Sequence, residues 1–250
     1  AQLASKVRHP NVVQISDFGL LVDGRSYLVM ECIDGTTLSS VIKQGAIAPR
    51  RACVIGQQIA RGLQAIHEQG IIHRDLKPEN IFVININDGH EVIKIVDFGL
   101  ARPIRTESDD RPLRVHYPSA DAMKALSGNH IPMNMTIPGT VMGTPAYMSP
   151  EQATAGDMDV RTDQYALGCV LYQMLTGSLP FQEKSLQRLL ARQIFAQPEP
   201  LRKRAPGIRI SVYLERLIGR LMAKRKEDRF SSMREVVQGL ERELAQSNSM

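Results

Sequence analysis

The chain has 250 residues, of which 43% are hydrophobic and 23% are charged, and its formal net charge is +5. This composition is too apolar for a disordered protein, and the length allows one large domain or two modest ones. The longest apolar run, Tyr165 to Leu175, is too short to span a bilayer, and the basic residues are not interleaved with aromatic residues, so no nucleic-acid partner is expected.

The first part of the chain predicts a helix end followed by a β-hairpin. Residues 1–8 are typical of the last turns of a helix, which Pro10 ends. Two segments rich in β-branched or apolar residues, Val12–Ile15 and Ser26–Met30, flank the turn signal Asp23-Gly24. We therefore expect two antiparallel strands here.

From residue 34 onward the pattern is mainly helical. A short helix is predicted over Leu38–Lys43, and Pro49 opens a longer helix that Gly70 ends. The apolar face of this longer helix repeats at three- and four-residue spacing and consists of Ala52, Ile55, Ile59, Leu63 and Ile66. The remaining predicted elements are strands over Ile81–Ile84 and Val92–Val96 around Asn87-Asp88-Gly89, an almost entirely apolar helix over Thr162–Thr176, and amphipathic helices over Leu214–Met222 and Met233–Leu244.

The most informative segment is residues 71–80, which read Ile-Ile-His-Arg-Asp-Leu-Lys-Pro-Glu-Asn. Its polar side chains have the spacing that phosphoryl transfer requires. Asp75 can accept the proton of a hydroxyl nucleophile, and Lys77 can reach the transferred phosphate. Asn80 can offer an amide oxygen to a magnesium ion. These three residues are the candidate catalytic residues.

Two further signals follow in the order that this chemistry needs. Asp97-Phe98-Gly99 begins 22 positions after Asp75, so that its carboxylate can serve as a second magnesium ligand, and Gly143-Thr144-Pro145 leads to Ser149-Pro150-Glu151. In this combination the chain resembles the serine/threonine protein kinases, most closely the eukaryotic-like kinases of bacteria. The resemblance covers nearly the whole chain and implies an α+β fold of the protein-kinase type.

The resemblance also implies a division of the chain. Residues 1–33 would be the remnant of a small β lobe, with a helix end, two strands and a hinge, and residues 34–250 would form a mainly helical large lobe. The helix before His9-Pro10-Asn11 carries a glutamate in this family, and a glycine-rich loop and a lysine-bearing strand come earlier still. None of these is present, so we expect a fragment that lacks useful kinase activity by itself.

ATP and Mg²⁺ are the cofactors that the resemblance implies. The hinge would hold the adenine through the carbonyl of Glu31 and the amide of Ile33. Met30 would lie at the back of the adenine pocket and Phe82 would form part of its floor. Asn80 and Asp97 would hold the metal. An ordinary buried strand is compatible with the same hinge sequence.

The segment from Asp97 to Glu151 is 55 residues long, which is longer than this family usually has at that place. We interpret the excess as an insertion in the activation segment. In the family the arginine at the place of Arg74 pairs with a phosphate on this segment. Thr136 and Thr140 are the candidate phosphorylation sites. Thr144 would line the site for the residue after the phosphoacceptor.

Other residues resemble structural supports of the family. Glu151 and Arg229 would form a buried ion pair, and Asp163 would hold the backbone of the 71–80 loop from below. His73 is expected to pack under this loop rather than to titrate in catalysis. The sequence Asp-Phe-Gly-Leu also occurs at Asp17-Phe18-Gly19-Leu20, before the catalytic loop, and we interpret this copy as coincidental.

The sequence therefore predicts a serine/threonine protein kinase that transfers the γ-phosphoryl group of ATP to hydroxyls of protein substrates. The alternative is a pseudokinase that acts as a binding scaffold. Cys32, Cys53 and Cys169 are far apart and suit a reducing compartment, and no secretory leader is visible. We expect a cytoplasmic domain, with any membrane anchor outside this chain.

Overall fold

A computed structural model of the chain describes residues 4–86, 89–97 and 145–247. Its fold is α+β, with small antiparallel sheets and a mostly helical remainder, as predicted. The strands are β1 (Ile15–Leu20), β2 (Ser26–Met30), β3 (Thr36–Thr37), β4 (Ile81–Ile86) and β5 (His90–Ile95). The helices are α1 (Leu38–Lys43), α2 (Pro49–Glu68), α3 (Pro150–Ala153), α4 (Arg161–Thr176), α5 (Leu186–Phe195), α6 (Leu201–Arg204), α7 (Val212–Leu221) and α8 (Met233–Ser247).

Helix α2 begins with Pro49 in its first turn, and its predicted apolar face is confirmed. The face consists of residues that are at most 1% exposed, namely Ala52, Ile55, Ile59, Leu63 and Ile66. It packs against α4, α8 and β5. A Cβ atom at Gly62 would lie 2.9 Å from the carbonyl oxygen of Asn11 and 2.8 Å from Ile95 Cδ1, so a glycine is needed where the helix meets β5.

Helix α4 lies in the centre of the described structure. Apart from Gln173, its residues from Thr162 to Leu175 are all buried. The predicted helix over Thr162–Thr176 is confirmed, and burial on nearly all sides is the environment that its almost entirely apolar sequence suits. Gly177 ends the helix in the left-handed conformation, with φ of 70°. None of the helices in the described ranges is long and apolar enough to cross a membrane.

Strands β3, β4 and β5 form one antiparallel sheet in that order. The predicted strands Ile81–Ile84 and Val92–Val96 are confirmed in place, although β4 extends to Ile86 and β5 covers His90–Ile95. Phe82 pairs with Lys94 across the ladder. Asn80 precedes β4 and Asp97 follows shortly after β5. Because these two strands are antiparallel, both predicted site residues lie at the same end of the hairpin.

The prediction of a strand over Val12–Ile15 is wrong. Val12 forms only an isolated parallel bridge with Ile95, and the strand that pairs with β2 runs from Ile15 to Leu20. The backbone of residues 11–13 bonds to Ile95 of β5 rather than to β2. This pairing buries the side chains of Val12 and Val13, which are 2% and 1% exposed. The helix end predicted over residues 1–8 appears within the described residues as a single 3₁₀ turn, Ala4–Lys6.

The β1–β2 hairpin has little core of its own. Every residue of β2 is exposed, and the apolar side chains of residues 27–30 are 36–46% exposed. A two-stranded hairpin is at best marginally stable in water by itself. The hairpin β4–β5 is a natural comparison because Ile81, Val83, Ile93 and Ile95 are at most 3% exposed.

We expect the amides of β1 and β2 to exchange hydrogen far faster than those of α4, because opening the hairpin exposes much less additional apolar surface than opening the buried helix does. Hydrogen–deuterium exchange followed by mass spectrometry measures this. The β4–β5 hairpin serves as the internal control and should be protected. Equal protection of the two hairpins would contradict the expectation.

Candidate active site

The loop of residues 71–80 connects α2 to β4. Gly70, with φ of 69°, turns the chain out of the helix. Ile72 and Leu76 are at most 1% exposed and anchor the loop in the core. At the far end, the amide of Val96 donates to the carbonyl of Asn80 at 2.9 Å. The loop is therefore fixed at both ends while Asp75 and Lys77 remain partly accessible.

The structure brings the three candidate catalytic residues together. Lys77 Nζ lies 2.6 Å from Asp75 Oδ2, and Asn80 Nδ2 lies 3.4 Å from the same oxygen. Asn80 Nδ2 also donates to the carbonyl of Asp75 at 3.0 Å. The side chains of Asp75 and Lys77 are 34% and 21% exposed, so a substrate can reach them. A carboxylate, an ammonium and an amide thus converge within six residues of sequence.

Asp163, on α4, holds the loop from below, as predicted. Its carboxylate accepts from the amide of His73 at 2.8 Å and from the amide of Arg74 at 2.9 Å. A hydrogen bond of 2.7 Å joins the carboxylate to His67 Nε2. Burial raises the pKa of Asp163, but the hydrogen bond and charge of His67, with the amide of Arg74, outweigh burial and lower it. A buried carboxylate without such partners would be destabilising.

His73 is 2% exposed and packs beneath the loop, as predicted. Its Nδ1 accepts from the amide of Asp75 at 3.3 Å, so its Nε2 is the atom that donates to the carbonyl of Val96, at 3.1 Å. Burial lowers the pKa of His73, which favours this neutral form. His73 therefore connects the backbone before Asp97 to the backbone at Asp75.

Asp97 lies two residues after the end of β5 and directly after Val96, whose amide bonds to Asn80. It has a φ of 61°, and Arg74 has a φ of 67°, so a non-glycine residue adopts the left-handed conformation on each side of the site. Such residues cost on the order of 1–2 kcal/mol each and cluster at functional sites. Phe98 and Gly99 lie outside the described residues.

The predicted hinge residues adjoin the sheet. The amide of Glu31 donates to the carbonyl of Gln14 at 3.0 Å, and the Glu31 carboxylate accepts from Lys94 Nζ at 2.6 Å. Lys94 lies opposite Phe82, which packs half-buried against the core, as does Ile33. Met30, at the end of β2, is 38% exposed. The sequence did not predict the role of Lys94, because its partner Glu31 lies 63 residues away in the chain.

The predicted ion pair between Glu151 and Arg229 is confirmed. The guanidinium binds both carboxylate oxygens, at 2.6 and 2.8 Å, and the Arg229 side chain is 0% exposed. Thr162 Oγ1 donates to the same carboxylate at 3.0 Å. Burial raises the pKa of Glu151, but the hydrogen bonds and charge of Arg229 outweigh burial and lower it. The pair joins α3 to the segment between α7 and α8.

The second Asp-Phe-Gly-Leu sequence is in a different place. Asp17 lies on β1, where its Oδ2 accepts from the hydroxyl of Tyr27 at 3.1 Å. This confirms that the copy is unrelated to the loop of residues 71–80. The predicted phosphorylation sites Thr136 and Thr140, and the predicted substrate-site residue Thr144, lie outside the described residues.

An acidic residue and a lysine bonded to each other in a partly open loop, beside an amide side chain, are the residue types that phosphoryl transfer uses. Comparison with known proteins agrees with this chemistry. Residues 1–240 match the protein kinase domain family, and the chain belongs to that family.

Several curated relatives are bacterial serine/threonine-protein kinases. Pkn3 of Myxococcus xanthus is 36% identical over 233 residues, which cover 93% of this chain and 39% of the relative. Pkn2 of the same organism is 38% identical over 96% of this chain and 26% of the relative. PknB of Mycobacterium tuberculosis is 34% identical over 94% of this chain and 34% of the relative. The chain therefore spans well under half the length of the relatives it matches.

Proposed function

We propose that this chain carries the catalytic machinery of a serine/threonine protein kinase, which transfers the γ-phosphoryl group of ATP to hydroxyls of protein substrates. The observation that supports the proposal most directly is the contact of 2.6 Å between Lys77 and Asp75, in a loop whose other end bonds to the residue before Asp97. The three relatives reported above are serine/threonine-protein kinases, which favours the serine/threonine class.

Asp75 would orient the substrate hydroxyl and accept its proton. Lys77, which already contacts this carboxylate, would place a positive charge beside the transferred phosphoryl group, where charge develops. The two side chains are held in register by the backbone contacts of Asp163 and His73. This preorganisation is what positioning catalysis requires.

Asn80 and Asp97 suit a hard divalent cation. Asn80 uses its amide nitrogen to bind the carbonyl of Asp75, so its amide oxygen is the atom that remains for a metal. Asp97 is exposed and supplies a carboxylate next to the Asn80-bonded strand end. Mg²⁺, when bound, would neutralise charge on the β- and γ-phosphates.

The adenine of ATP would bind to the backbone of the hinge, at the carbonyl of Glu31 and the amide of Ile33, with Met30 behind it and Phe82 below. The ion pair of Glu31 with Lys94 fixes the hinge relative to β5. We also propose that residues 1–33 and 34–250 belong to the two lobes of the kinase fold. We propose in addition that the domain lies in the cytoplasm and that its partners are protein substrates.

Incubation of the full-length protein with γ-labelled ATP, Mg²⁺ and a generic protein substrate tests the proposed function. We expect label on serine or threonine, and its loss when a chelator removes the metal. Phosphoamino-acid analysis distinguishes these residues from tyrosine. ATP binding without any phosphotransfer would contradict the proposal and support the pseudokinase alternative.

A further inference from the structure

The side chain of Gln152 connects two parts of the site that are 78 residues apart in sequence. Its Nε2 donates to the carbonyl oxygen of Arg74 at 2.7 Å. Its Oε1 accepts from the amide of Ser149 at 3.1 Å, and the Gln152 amide in turn donates to Ser149 Oγ at 3.3 Å. The last two bonds form the capping box of helix α3. The carboxamide makes this possible because its oxygen accepts while its nitrogen donates.

The carbonyl that Gln152 holds belongs to the peptide bond between Arg74 and Asp75. Arg74 has the left-handed φ of 67°, a conformation that persists in a non-glycine residue only when its surroundings enforce it. The amide of Arg74 is held by Asp163 at 2.9 Å, and its carbonyl is held by Gln152. The backbone immediately before Asp75 is therefore fixed from two sides, by α4 and by α3.

Helix α3 is itself anchored. Glu151, the neighbour of Gln152, forms the bidentate ion pair with the buried Arg229. The bond from Gln152 to Arg74 thus joins a rigid segment to the loop that carries Asp75. A displacement of α3 would reach the carboxylate of Asp75 through this bond.

We propose that Gln152 is a positioning residue for Asp75: its carboxamide holds the Arg74–Asp75 peptide in the orientation that phosphotransfer uses and couples the loop to α3. This inference rests on the proposed kinase function for its kinetic consequence. The coupling itself is a property of the fold and is measurable without any substrate.

The variant Gln152→Glu tests the proposal in the full-length protein. A glutamate keeps the capping box, because its carboxylate can still accept from the Ser149 amide, but it has no donor for the carbonyl of Arg74. We expect kcat to fall between about tenfold and 100-fold, the loss typical of a misplaced catalytic group. The KM for ATP should stay within about twofold, because Gln152 does not contact the proposed nucleotide site. Gln152→Met, which is uncharged, should lower kcat similarly.

Ser149→Ala is the matched control. It removes the hydroxyl cap of α3 but leaves the bond from Gln152 to Arg74, so it should lower the midpoint of urea unfolding without changing kcat more than about twofold. A kcat within about twofold of the parent in either Gln152 variant would overturn the inference. So would an equal loss of kcat in Ser149→Ala, because the effect would then follow helix stability.

Hydrogen exchange provides the measurement that does not depend on activity. The amides of residues 73–76 should exchange faster in both Gln152 variants than in the parent, and should be unchanged in Ser149→Ala. If the parent transfers no phosphate, the proposed function fails, and the exchange of these amides alone decides whether Gln152 holds the loop. Unchanged exchange in the Gln152 variants would overturn the inference.

Discussion

Replacement of Asp75 by asparagine in the full-length protein should abolish phosphotransfer and leave ATP binding nearly intact. Asparagine has the same shape but cannot accept the proton of a hydroxyl nucleophile, and positioned bases contribute about 10²- to 10⁴-fold in rate. It also removes the charge that Lys77 contacts at 2.6 Å. Initial rates with labelled ATP, together with calorimetric titration of Mg²⁺ and ATP, separate the two effects.

Asp97→Asn and Asp17→Asn complete this experiment. Asp97→Asn should weaken metal-dependent nucleotide binding in addition to phosphotransfer, because this carboxylate is the proposed magnesium ligand. Asp17→Asn alters the same four-residue sequence on β1 and should leave both quantities unchanged. Equal losses of ATP affinity in Asp75→Asn and Asp97→Asn would show that the proposed division of roles is wrong.

Replacement of Arg229 by methionine should lower the free energy of unfolding by about 3–5 kcal/mol, because it leaves the Glu151 carboxylate buried without its cation. The side chain of Arg229 is 0% exposed and that of Glu151 10% exposed, so bulk water screens the remaining charge little. Urea unfolding followed by circular dichroism measures the change. The double variant Glu151→Gln/Arg229→Met should recover part of the loss, because no buried charge remains.

Arg61→Met is the control for this ion pair. The pair of Arg61 with Glu241 has a similar distance, 2.9 Å, but both side chains are more than 45% exposed, and such pairs contribute about 0–1 kcal/mol. A loss in Arg229→Met no larger than in Arg61→Met would contradict the assignment of a structural role to the buried pair.

The pH dependence of the Glu151–Arg229 pair has a defined sign. The folded pKa of Glu151 lies below its ordinary value of 4.5, so the unfolded chain binds the proton first as the pH falls. The stabilisation by the charged pair is fully present above about pH 4.5 and is lost at more acidic pH. The difference in unfolding free energy between the parent and Arg229→Met should therefore shrink in acid.

The sequence by itself determined the residues that carry chemistry and the elements that carry them. Asp75, Lys77 and Asn80 lie within six positions, so their closeness in space follows from their closeness in sequence, whereas their orientation does not. The apolar positions of α2 repeat with the period of a helix, the apolar run of α4 is longer than an ordinary strand, and both helices form as predicted. The pairing of Glu151 with Arg229 was accessible only through the family resemblance.

The tertiary structure decided which polar groups hold the site in place. His67, Lys94 and Gln152 bind Asp163, Glu31 and the carbonyl of Arg74 across 96, 63 and 78 residues, respectively. The start of β1 was decided in the same way, because Val12 and Val13 are buried against Ile95 rather than paired with β2. Local pattern carries no information on such contacts: a histidine, a lysine or a glutamine looks alike in sequence whether it is solvated or satisfies a buried partner. The packing of α2, α3 and α4 around the loop of residues 71–80 determines which polar side chains orient Asp75.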